Sequence, residues 1–203
     1  MIDSRTLPIF PLQRVAVPGE AMVIHVFEPR YHSMIAGLED DRFGLVLIRS
    51  GSELGGGAKY HDVGVVARIV DRRALDDGRM LLALLAEQRF EVVDRLPEDP
   101  YPAAQVVLLD ESSESDAELL GEVATSLRRY LAVSAEAGQG GDVMFELSAD
   151  PTAASYQVAS ILRLVAPERQ ELLELPSTQD RLRRESMLIR RETELLERTM
   201  MGG

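Results

Sequence analysis

The 203-residue chain carries 34 acidic and 22 basic side chains, a formal charge of −12, and 45% apolar residues. It is long enough for one sizeable domain or two small ones, and it has no cysteine, which excludes disulfides, thiolate nucleophiles and cysteine-held metals. No apolar run reaches the ~20 residues of a membrane-spanning helix, and the acidic surplus argues against a phosphate backbone as partner.

The N-terminus, MIDSRTLPIF, lacks the basic segment and apolar core of a secretory leader, so the cytoplasm is the expected compartment. Ile9-Phe10 and Val15-Ala16-Val17 read as strand. Pro8 and Pro11 suit an entering or edge strand that needs no amide donor. Pro18-Gly19 suits a turn. Ala21 to Phe27 alternates Met22, Ile24, Val26 with Val23, His25, Phe27; both sets are largely apolar, which predicts a strand covered on both faces. Glu28-Pro29 then opens a helix, since proline fits the first helical position. Tyr31, Met34, Ile35 and Leu38 share one face of it.

Phe43 to Ile48 reads as a buried strand, and SGSELGGGAKYHD as a flexible loop. Val63 to Val70 and Met80 to Ala86 form a hairpin about Asp77-Gly78, and Arg89 to Leu96 continues the extended chain. After a proline-rich crossing, Ala104 to Leu109 is the last strand. The composition shifts at DESSESDAE, a boundary and helix start in which serine and aspartate suit the N-terminal cap. Leu119, Leu120, Val123, Leu127, Tyr130 and Leu131 make an amphipathic stripe that AGQGGD breaks. Asp150-Pro151 opens a helix carrying Tyr156, Ile161, Leu162 and Val165, and Pro167 a short one carrying Leu172 and Leu173. Ser177 to Asp180 caps a final helix on which Leu182, Ile189 and Leu196 recur every seven residues, flanked by Leu188 and Leu195. The division is a β region over 1–112 and a helical region over 113–203.

Chemistry is sparse. The phosphate-loop pattern fails because Ala58 precedes Lys59 and Tyr60 follows it. Lys59 is the single lysine and sits in the glycine-rich loop, a poor partner for a serine nucleophile. His25 and His32 lie on different elements, and zinc would need carboxylates beside them. His25 reads as a strand histidine hydrogen-bonded in or beside the core, and His61 as solvated. Arg181, Arg183 and Arg184 form a local basic run, balanced by Glu185, Glu192 and Glu194 on a solvated helix. Glu28, Pro29 and Arg30 read as a structural corner, with Glu28 capping the helix or pairing with Arg30. Neither catalytic residues nor a metal or other cofactor is expected.

In chain order, FPLQRVAVPGE, HVFEPRY, VGVVARIV, DDGRMLLALLAEQRFEV, PYPAAQVVLLDE and RQELLELPSTQDRL resemble the N-terminal substrate-binding domain of the Lon protease, from about Leu7 to Leu196. The resemblance implies an α+β fold, a PUA-like β pseudo-barrel with one early helix followed by a C-terminal α-helical bundle. It also implies protein or peptide binding, without catalysis. Neither an ATPase nor a peptidase motif is present, so a stand-alone member is expected. The expected partners are unfolded or misfolded protein segments, with a protease or chaperone as a further partner and no membrane. Phe27, Tyr31, Tyr101 and Tyr156 are the candidate peptide contacts, with Met22 and Met34 as adaptable surfaces. The alternative is a PUA-like nucleic-acid or small-molecule module, which the charge and the 5% aromatic content oppose.

Overall fold

The first strand, β1 (Ser4–Leu12), changes partner along its length. In the computed structural model, which describes residues 4–111, 117–139 and 146–201, five further strands follow: β2 (Ala21–Val26), β3 (Arg42–Ser50), β4 (Lys59–Ala74), β5 (Met80–Arg95) and β6 (Ala103–Leu108). Ser4 to Pro8 pair antiparallel with β6, and Ile9 to Leu12 pair parallel with β3. The Ile9 amide donates to Pro102 O at 2.8 Å. Because backbone groups alternate sides along a strand, the nitrogen of Pro8 faces the β3 side before that pairing begins. The nitrogen of Pro11 faces the β6 side after that pairing has ended. Both prolines therefore sit inside a strand with neighbours on each side, not on an outer edge, and neither interrupts a ladder.

The strand order is β2-β5-β4-β3-β1-β6, and the far half of β5 also pairs with β6. The sheet thus curls back on itself while β2 stays outside the circuit, a pseudo-barrel and not an evenly closed barrel. Leu7, Ile9, Val46, Tyr60, Val66, Phe90, Val92, Ala104 and Val106 fill its interior. Gly44 and Gly64 leave room there for Phe90: a Cβ at Gly44 would lie 2.7 Å from Phe90 Cζ, and one at Gly64 2.3 Å from Leu45 O. Val15 to Val17 are buried but join no ladder, and Lys59 to Asp62, expected in the loop, already belong to β4 because Tyr60 turns inward.

Five helices complete the described chain: α1 (Pro29–Ala36), α2 (Ala117–Glu136), α3 (Pro151–Ile161), α4 (Ala166–Glu174) and α5 (Thr178–Met201). Asp150 caps α3, its Oδ1 accepting from Thr152 N at 3.1 Å, and Ser177 Oγ accepts from Asp180 N at 3.0 Å at the start of α5. The serine-rich stretch at 112–116 and the second half of the expected break after α2, residues 140–142, lie outside the described residues.

The chain divides into two units, Met1–Asp110 with Leu164–Glu174, and Glu111–Arg163 with Leu175–Gly203. In this division α4 groups with the strands and not with the other helices. Leu172 and Leu173 are buried, the buried Arg89 donates to Leu173 O at 2.8 Å, and Gln170 Nε2 donates to Val63 O at 3.0 Å. Glu20 adds an ion pair to Arg169 and another to Arg14. A polar helix, of sequence APERQELLE, is held by specific bonds that apolar periodicity does not reveal.

Candidate functional site

β2 lies at the end of the sheet and pairs only with β5, in unbroken register from Ala21↔Leu85 to Val26↔Met80. Met22, Ile24 and Val26 point into the core, while Val23, His25 and Phe27 face out, Val23 59% and Phe27 51% exposed. This overturns the expectation of a strand covered on both faces, and with it the placing of His25 in or beside the core. Directly opposed residues share a face of the sheet, so half-buried Leu81, Ala83 and Leu85 stand beside His25, Val23 and Ala21. On the next strand Arg73 and Asp71 oppose Leu81 and Ala83, giving the apolar strip a charged border.

The corner after β2 anchors this strip. Arg30 Nε lies 3.2 Å from Glu28 Oε2, Nη1 pairs with Glu98, and Nη2 donates to Glu53 O at 3.3 Å. Glu28 makes no side-chain cap to α1; its Oε2 accepts from Gly55 N at 3.1 Å, and Glu98 Oε2 accepts from Gly57 N at 3.1 Å. The glycine-rich loop is therefore pinned by two carboxylates that share one guanidinium. Gly55, Gly56 and Gly57 all take positive φ, which lets their amides turn toward those carboxylates. Glu53 and Glu98 carry no local motif, so sequence spacing alone could not have placed them here.

The other candidate residues scatter. Tyr31 is buried, stacked on Phe10 with ring centroids 4.1 Å apart and under the Arg30 guanidinium at 4.4 Å; burial pushes its hydroxyl pKa up to about 12. Met22 and Met34 are likewise core. Tyr101 is half-buried near Gly37. Only Phe27 of the four aromatic candidates stands open to solvent. His61, expected to be solvated, has its Nδ1 3.0 Å from Glu174 Oε1. An open cavity of about 430 Å³ lies among Arg5, Pro8, Gly37, Asp40 and Arg42. Thr6 and Glu39 also line it, and no group of three metal-ligating side chains occurs among the described residues.

The helical unit has its own polar centre. Arg181 is fully buried, donating to Ser155 Oγ at 2.8 Å and to Glu111 Oε2 at 3.1 Å, and Tyr156 is buried against it. Glu185, one turn on, is fully buried with neither carboxyl oxygen hydrogen-bonded, and burial holds its pKa well above the usual carboxylate range. The solvated mixed-charge reading thus fails for Arg181 and Glu185 and holds for exposed Arg183. Leu182, Leu188 and Ile189 are buried, Leu196 is half-buried and the flanking Leu195 is exposed, so the seven-residue repeat is covered most fully over the first part of α5.

Residues 6–191 match the family model described as the ATP-dependent protease La (LON) substrate-binding domain. Among relatives, Lon protease 2 of Herpetosiphon aurantiacus is 30% identical over 200 residues, covering 94% of this chain and 24% of that protein. Lon protease of Brevibacillus choshinensis is 24% identical, covering 96% and 26%. The chain thus spans about a quarter of the length of the relatives it matches. The crystal structure of a Lon N-terminal domain protein from Xanthomonas campestris superposes with a TM-score of 0.67 at 26% identity, covering 88% of this chain and 95% of that one. The N-terminal domain of Mycobacterium avium complex Lon protease gives 0.66 at 16% identity, covering 91% and 98%, a likeness of fold.

Proposed function

Because the chain belongs to the family of Lon substrate-binding domains, we propose that it is a non-catalytic module that captures exposed apolar segments of unfolded or misfolded proteins in the cytoplasm, an adaptor for a protease or chaperone. The observation that carries this reading is the open apolar strip of Val23, Phe27, Leu81 and Leu85 on the outer face of β2 and β5. Contiguous exposed apolar surface marks interaction sites on folded proteins. The strip is anchored by a rigid ladder and by the Arg30 cluster, which suits a preformed contact surface.

The test is binding of fluorescent reduced, carboxymethylated α-lactalbumin, followed by anisotropy. Micromolar binding is expected, weakened about tenfold in Val23→Ser/Phe27→Ser, a loss near 1.4 kcal/mol. Absence of binding at high micromolar concentration rejects the reading. Casein incubated with the pure chain, with or without ATP, is expected to stay intact.

A further inference from the structure

Resting on that reading, we propose that β2 receives its ligand as an added strand: an extended polypeptide segment without net negative charge pairs its backbone with the open edge of β2. The Ala86 amide donates to Glu20 O at 2.9 Å, so Glu20 faces β5. Antiparallel alternation then turns Met22, Ile24 and Val26 toward β5, and turns the amides and carbonyls of Ala21, Val23 and His25 outward. Among the described residues, no backbone partner meets these outward groups. Each supplies one donor and one acceptor.

Sheet proteins usually guard such an edge with a charge, a proline, a bulge or a covering element. The β2 sequence AMVIHV has no charge and no proline, and its register with β5 shows no shift. The exposed tip of β4, by contrast, carries Asp71, Arg72 and Arg73 and begins at a register shift between Ile69 and Asp71. The undefended edge adjoins the apolar strip, so an added strand gains backbone hydrogen bonds at the edge and side-chain burial beside Val23 and Phe27. Those two gains are the affinity and the selectivity of strand addition. A chain of charge −12 repels its own copies, which favours a neutral or basic foreign segment over a second copy as occupant.

The probe is a peptide of alternating valine and threonine with a lysine at each end, used with the full chain and read by NMR amide exchange. Saturating peptide is expected to slow exchange at Val23 and His25 about tenfold or more, with Met22 and Ile24 protected from the start. The same peptide with every second amide methylated, which leaves its side chains but removes one edge of donors, is expected to lose binding about tenfold or more. Binding without protection of Val23 and His25, or binding indifferent to methylation, overturns strand addition while leaving apolar capture standing. Absence of binding by this peptide and by the unfolded-protein probe overturns both. Protection that rises with protein concentration and no peptide assigns the edge to a second copy and overturns the foreign occupant.

Discussion

The guanidinium of Arg181 lies 3.9 Å from the centre of the Tyr156 ring, and both side chains end on one carboxylate: Tyr156 Oη donates to Glu111 Oε1 at 2.5 Å, and Arg181 Nη2 to Oε2 at 3.1 Å. Removing the cation takes the guanidinium from Glu111 and leaves a void. Arg181→Ala is expected to destabilise the chain by about 3 kcal/mol. Tyr156→Phe keeps the ring under the cation and loses one hydrogen bond, for about 1 kcal/mol. Urea unfolding followed by circular dichroism checks both values and, more tellingly, their order.

Glu185 sets a pH dependence of known sign. Its folded pKa is raised, so above the ordinary glutamate value of 4.5 the folded state holds more protons than the unfolded one. Stability therefore falls as pH rises from that value through the folded pKa, then levels off. Glu185→Gln is expected to be more stable than the parent at high pH and to lack this decline. Denaturation midpoints across a pH series, parent against variant, read the difference directly; parallel curves would show that the carboxyl does not titrate in this way.

The clamp of Arg30 between Glu28 and Glu98 predicts how the glycine loop is released. In Arg30→Ala two carboxylates remain facing each other without their cation, and the bonds to Gly55 and Gly57 weaken. A loss of about 1–3 kcal/mol is expected, with faster cleavage of the 51–58 segment by a non-specific protease. Arg30→Lys should recover little, because one ammonium cannot fork to Glu28, Glu98 and Glu53 O together.

Two glycines with opposite surroundings give opposite outcomes. A methyl at Gly64 would sit 2.3 Å from the Leu45 carbonyl oxygen, a backbone atom fixed in the β3–β4 ladder, so Gly64→Ala is expected to cost about 3 kcal/mol or more. Nothing lies within 4 Å of a methyl at Gly121, inside α2. Gly121→Ala should stabilise by up to about 1 kcal/mol through helix propensity. Thermal melts of the pair suffice.

Much of the fold is legible in the residues because local chemistry dictates it. Pro29 starts α1, Asp150 caps α3, Ser177 caps α5, and the apolar alternation marks the strands. The candidate site was legible only as far as Phe27. A period of two says that Val23 and Met22 lie on opposite faces; it does not say which face the rest of the chain covers, and two apolar faces read as two buried ones. Arg181 and Glu185 misled for a related reason. Charge pattern on a helix predicts solvent, whereas partners from distant sequence, Glu111 and Ser155 for Arg181, decide burial.

The allegiance of α4 to the strands governs how the molecule is made. Ser4 meets Val107 across the sheet, so the circuit of strands waits for β6. Even then Arg89 lacks its acceptor at Leu173, which leaves the ribosome only after Glu111–Arg163 has been synthesised. A nascent chain halted near residue 112 would hold the strands with that one bond of the buried Arg89 still unmade, a species for chaperones to shelter. The same bond marks the shortest fragment worth expressing: one that ends beyond Glu174.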